Sequence, residues 1–276
     1  MSKLRFPRPA ALAALAALAL FPLASASAQA QAWIARHGMT SAQYQSAFNQ
    51  FTGQGYRLTD VSGYRVNGTD FYAAIWSKKG GPAWAARHGM SGGSYQSNFN
   101  DLTAKGFAPE TVSGYGGKFA AIWAKSGGAF VARHGLTSAQ YQAEFDSWVA
   151  KGYRLTDVTG YEAAGQVRYA AIWRKQGGSA WQARHGMTSA QYQATFNQMS
   201  AMGFKPLRVN GYDVNGTPYY AAIWTMSPGG YVARHGLTGA QYQAEFDKWT
   251  SQGYRLQDIS GYTAGGQARY AAIWYR

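Results

Sequence analysis

The sequence predicts an α+β fold of five tandem helix–β-hairpin repeats, 46–51 residues each, closed into a propeller-like ring. Two observations predict the repeats and a third the closure. The tetrapeptide Ala-Arg-His-Gly recurs at residues 35–38, 86–89, 132–135, 183–186 and 233–236, and holds all five histidines of the chain. Each copy continues with Tyr-Gln, a Phe four residues after that Tyr, a Gly-aromatic step, a Gly-Tyr pair and Ala-Ala-Ile-Trp. The array also begins with a Trp-x-Ala-Arg-His segment, 33–37, and ends with an Ala-Ala-Ile-Trp strand, 270–274. The units read as 31–81, 82–128, 129–178, 179–228 and 229–276, one repeat domain after an N-terminal leader.

Within a unit, the helix comes first. Thr40 is placed as N-cap, Gln43 completes a capping box, and Met39 staples to Tyr44. The pattern returns at Thr137, Thr188 and Thr238. Tyr44, Phe48 and Phe51, like Tyr141, Phe145 and Trp148, share one helical face, and Gly55, Gly152 and Gly253 stand at C′. A hairpin follows. Asn67-Gly68 and Asn215-Gly216 are type I′ turn signals, and residues 71–76 form the returning strand. The second copy differs, with Ser91-Gly92-Gly93-Ser94 at the helix start and Gly116-Gly117 expected to make a longer hairpin loop.

After each hairpin, the Trp-x-Ala-Arg-His segment is expected to pair as a third strand beside the Ala-Ala-Ile-Trp strand preceding it. Residues 33–37 would then complete the last unit beside 270–274, leaving no open edge.

Residues 1–30 read as a secretory signal. Lys3, Arg5 and Arg8 precede an Ala/Leu stretch, with small-residue cleavage sites near Ala28 or Ala30. The expected destination is the periplasm or the medium, with no membrane span in the mature chain. The 26 Lys+Arg outnumber the 12 Asp+Glu, and removing the three leader cations leaves +11. Such a balance points to an acidic partner. With no Cys, thiolate metal sites, disulfides and thiol nucleophiles are excluded.

Four features invite chemistry. Gly89-Met90-Ser91-Gly92-Gly93 matches a nucleophile-elbow pattern, yet Ser91 aligns with four Thr caps and reads as a cap. The Arg-His pairs are the candidate binding residues: Arg36, His37, Arg87, His88, Arg133, His134, Arg184, His185, Arg234 and His235. A fold-supporting role competes with an anion contact, and with a ring of histidines on a metal. The repeated Trp76, Trp123, Trp173, Trp224 and Trp274 read as core between units, with sugar stacking as the alternative. Lys78, Lys79, Lys125, Arg174 and Lys175, just after the Trp strands, suggest a basic rim.

The composite Trp-x-Ala-Arg-His-Gly unit, with its Gly-Tyr and Ala-Ala-Ile-Trp close, resembles the bacterial tandem repeat of secreted proteins. Similar repeats form the amino-terminal region of secreted polyglycine hydrolases, ahead of a β-lactamase-like hydrolase domain. No such domain is expected within a chain ending at Arg276, so the resemblance transfers no catalytic residue. Together these readings predict a secreted, non-catalytic module for an acidic extracellular polymer (polysaccharide or polypeptide) or a protein. It needs no cofactor or resident metal, and no nucleic acid is expected. The alternative is an accessory or cryptic hydrolase using the Arg-His pairs.

Overall fold

The computed structural model describes residues 32–276, so the expected leader lies outside the described residues. Five units follow one plan of strand, helix and hairpin. The first contains β1 (Trp33–Thr40), α1 (Ser41–Gly53), β2 (Arg57–Val66) and β3 (Thr69–Ser77). The second has β4 (Trp84–Ser91), α2 (Gly92–Ala104), β5 (Ala108–Tyr115) and β6 (Lys118–Ala124). The third has β7 (Phe130–Leu136), α3 (Ser138–Ala150), β8 (Arg154–Ala163) and β9 (Gln166–Arg174). The fourth has β10 (Trp181–Thr188), α4 (Ser189–Ala201), β11 (Lys205–Val214) and β12 (Thr217–Thr225). The fifth has β13 (Tyr231–Leu237), α5 (Gly239–Ser251), β14 (Arg255–Ala264) and β15 (Gln267–Tyr275).

Local chemistry sets each boundary. Thr40, Thr137, Thr188 and Thr238 cap their helices in full capping boxes with Gln43, Gln140, Gln191 and Gln241. Ser91 does the same work alone, accepting from Ser94 N. Gly55, at φ +82°, ends α1: Gly55 N donates to Thr52 O and Tyr56 N to Phe51 O, the paired bonds of a Schellman motif. Every hairpin closes through two residues of positive φ, such as Asn67 (49°) and Gly68 (80°), whose twist matches the strands. Gly116-Gly117 is one of these two-residue turns, contrary to the longer loop expected; the second hairpin is shorter because its strands are.

The third strand is the main correction. Each sheet has the order first strand, returning strand, middle strand, so β1 pairs with β3 of its own unit and not with β15. The segment following a hairpin therefore opens the next sheet. A helix lies between β1 and the hairpin it joins, so the pairing spans more chain than the expected neighbour contact.

The core sits between units. Trp76, Trp123, Trp173, Trp224 and Trp274 are 0% exposed, which removes them as sugar-stacking platforms. Trp76 and Tyr44 pack with Tyr115, Ala120 and Ile122 of the second unit, and Trp274 and Tyr242 of the fifth pack with Ala35, Tyr64 and Ile75 of the first. The middle strands are joined by one repeated bond from a Gly amide to a small polar side chain. Gly63 N donates to Ser113 Oγ (3.0 Å), Gly114 N to Thr159 Oγ1 (3.2 Å) and Gly160 N to Asn210 Oδ1 (2.7 Å). Gly211 N donates to Ser260 Oγ (3.0 Å), and Gly261 N to Ser62 Oγ (3.0 Å).

Candidate functional site

A bulge positions each Arg-His pair. Between Arg36 and Met39, β1 carries one residue more than β3, and Gly38 takes φ +65°. All five sheets repeat the irregularity. The bulge turns the Gly amide toward a tyrosine of the middle strand: Gly89 N donates to Tyr115 OH at 3.0 Å, Gly135 N to Tyr161 OH at 3.0 Å and Gly236 N to Tyr262 OH at 2.9 Å.

The imidazole enters the seam with the preceding unit. His88 sits edge-on to Tyr44 (4.7 Å) and Tyr72 (5.1 Å), and His37 to Tyr242 (4.6 Å) and Tyr270 (5.1 Å). His88, His185 and His235 reach Ser41, Ser138 and Ser189 at 3.2–3.3 Å. Where Gly92 replaces that Ser, His134 turns to Gln96 Oε1 at 3.0 Å. Gly239 faces His37, which has no side-chain hydrogen bond among the described residues. Burial lowers the pKa of all five imidazoles. The histidines thus occupy five seams, and among the described residues no three His, Asp or Glu are grouped to hold a metal.

The arginines differ from the histidines in being exposed. Each Nη1 donates to the carbonyl of the preceding alanine: 2.8 Å for Arg36 and Arg87, 3.0 Å for Arg133, 2.7 Å for Arg184 and 2.9 Å for Arg234. Arg133 and Arg234 lie over Trp148 and Trp249, with Glu144 at 3.5 Å and Glu245 at 3.3 Å. Arg36, Arg87 and Arg184 meet no carboxylate among the described residues. Seams open as grooves. One of about 300 Å³ is lined by Tyr44, Gln45, Phe48, Ala86, Arg87 and His88, and its equivalent at Arg133-His134 holds about 220 Å³.

Lys78, Lys79, Lys125 and Lys175 are exposed as the rim reading requires. Arg174 is not: its side chain is 12% exposed and donates to Glu110 (2.9 Å) and Pro109 O (2.6 Å).

One charged cluster went unanticipated. A second bulge, at Thr59 in β2 and at the matching residue of every middle strand, precedes a position holding Asp60, Thr111, Asp157, Arg208 and Asp258. Asp60, Thr111, Asp157 and Asp258 are buried. Arg208 contacts Asp258 at 2.9 Å and Asp60 and Asp157 at 3.9 Å. Ile259, Val112 and Val209 amides donate to Asp60, Asp157 and Asp258 at 2.7–3.1 Å across unit boundaries. Burial raises the pKa of all three carboxyls, Asp157 to about 6, while Arg208 pulls them back. The available signal was one Arg among three Asp at one position of the repeat.

Comparison with curated proteins finds no match. A sequence profile described as polyglycine hydrolase-like, structural repeat matches residues 30–79, 81–126, 127–176, 178–226 and 228–276. Five matches in series, spanning every sheet described above, place the chain in the polyglycine hydrolase-like structural-repeat family.

Proposed function

We propose that the chain is an exported, non-catalytic binding module whose five units close into a ring. The ring presents the Arg-His seams and the lysine rim to an acidic extracellular polymer. Closure is supported by the bond from Gly261 to Ser62, which repeats between fifth and first units the link at every other boundary, and by that from Ile259 to Asp60, which matches Val112 to Asp157 and Val209 to Asp258. The observation carrying the function is the set of exposed guanidiniums held on bulges, three without a carboxylate among the described residues. A side chain already fixed by its own backbone loses less entropy on meeting an anion.

The test is salt-gradient elution from immobilised polygalacturonate, with a neutral glucan as control. Arg36→Gln/Arg87→Gln/Arg184→Gln should elute at clearly lower salt than the parent, because attraction between exposed charges is screened over about 8–10 Å. Arg133→Gln/Arg234→Gln, whose charges already face glutamates, should shift elution less. Equal retention of all three proteins, or salt-independent retention on the glucan, would overturn the reading.

A second reading rests on the three Ser–His contacts of 3.2–3.3 Å, the spacing of a nucleophile and its base. No carboxylate bonds these imidazoles among the described residues, so nothing fixes the tautomer a base requires. Turnover of an activated ester that vanishes in His88→Gln/His185→Gln/His235→Gln would support this reading. Turnover no faster than buffer would end it.

A further inference from the structure

We propose that the pocket at the hairpin-tip end of the middle strands binds a compact ammonium compound of monosaccharide size. The pocket measures about 410 Å³ and draws its lining from all five units. The tyrosine of every Gly-Tyr pair contributes to its wall, and each of these hydroxyls already has a hydrogen-bond partner. Tyr64 and Tyr115 bond Tyr270 and Tyr72 at 2.6 Å, Tyr212 and Tyr262 bond Tyr169 and Tyr220 at 2.7 Å, and Tyr161 accepts from Gly135 N. The walls therefore offer aromatic surface.

Charge at the rim supplies the sign. Arg65 is held by Asp70 and by Gly68 O, both at 3.1 Å. The two lining carboxylates are differently placed. Glu162 takes one hydrogen bond, from Asn215 N at 3.1 Å. Asp213 accepts from Gly216 N through Oδ1, while Oδ2 is shielded from solvent and has no partner among the described residues. Burial raises the Asp213 pKa, and the neighbouring Glu162 adds to the rise. Two lining carboxylates against one arginine already paired with Asp70 favour a cationic guest. Aromatic faces attract the same kind of cation. A metal ion fits less well, because hard cations demand several oxygen ligands converging on one point.

Size and depth set the remaining chemistry. The next cavity, lined by the serine and aspartate layers of the same strands, has only about 30 Å³. A polymer cannot thread past that point, so the site takes a compact molecule. It carries the opposite charge preference from the seams.

The probe is D-glucosamine, with D-glucose as its neutral counterpart, titrated into the isotopically labelled chain near pH 6.5. Glucosamine should shift the amide signals of Asp213, Glu162 and Gly216 saturably, and glucose should not. Asp213→Asn keeps an acceptor for Gly216 N while losing the charge, and should weaken glucosamine binding at least tenfold. Glu162→Gln should weaken it less. Arg36→Gln/Arg87→Gln/Arg184→Gln should bind glucosamine as the parent does, which separates this site from the seams. Equal binding of the two sugars, no binding of either, or parental affinity in Asp213→Asn would overturn the proposal.

Discussion

At the residue scale, one glycine per unit is irreplaceable for a reason that lies in the next unit. A Cβ built on Gly63 falls 2.2 Å from Tyr115 Cε1, and one on Gly261 falls 2.3 Å from Tyr64 Cδ1. Gly63→Ala should therefore cost about 1–3 kcal/mol, the range for overpacking, read as a lower urea midpoint. An unchanged midpoint would mean that the tyrosine does not lie over that glycine. The helix caps give a second, smaller effect. Thr137 accepts from Gln140 N at 3.3 Å, so Thr137→Ala should cost about 1 kcal/mol and Thr137→Ser almost nothing. Caps were legible in the sequence because their signal is local: Thr and Gln three residues apart. The Gly-Tyr pair was visible as a repeated dipeptide, but its partner ring lies about fifty residues away, so its purpose was not.

At the scale of elements, the two bulges decide where the repeated charged side chains lie. The first swings each His into a seam, and the second turns Asp60, Asp157, Arg208 and Asp258 inward. A bulge adds one residue to a strand without altering its composition, so alternation along the strand does not show which way the residues beyond it face. The Arg-His pairs were legible because the same dipeptide recurs in all five units, whereas the buried position changes between Asp, Thr and Arg. The seam makes a pH prediction. Each His pKa is lowered in the fold, so its contribution is complete above the unfolded value near 6.5. That contribution is lost as pH falls through the lower folded value. Imidazole signals followed by NMR should all titrate below about 6.5. A histidine titrating above that value would show an exposed ring, contradicting its place between Tyr44 and Tyr72 or their equivalents.

At the scale of the whole molecule, Arg208 offsets three carboxylates contributed by the first, third and fifth units. Removing one partner from a buried charge cluster typically costs about 3–5 kcal/mol. Arg208→Met should lose stability of that order at neutral pH and regain part of it on acidification. The sign follows from the raised carboxyl pKa values: protonated Asp60, Asp157 and Asp258 favour the fold below their unfolded value near 4, and that contribution is lost as pH rises through the folded values. Measuring the difference between parent and variant cancels the opposing trend of the histidines. Equal stability at all pH values would place Arg208 outside the cluster. The number and order of the units were legible from the five-fold spacing alone. Strand order was not, since β1 and β3 are separated by a helix and a full hairpin strand. In a closed ring the fifth unit meets the first. Asn67 Oδ1 lies 3.7 Å from a Cβ built on Gly266, and the chain has no native cysteine to interfere. Asn67→Cys/Gln267→Cys, treated at low protein concentration with a short bis-maleimide, should yield an intramolecular cross-link that Asn67→Cys/Gln166→Cys does not. Cross-linking no greater than in that control would contradict the ring.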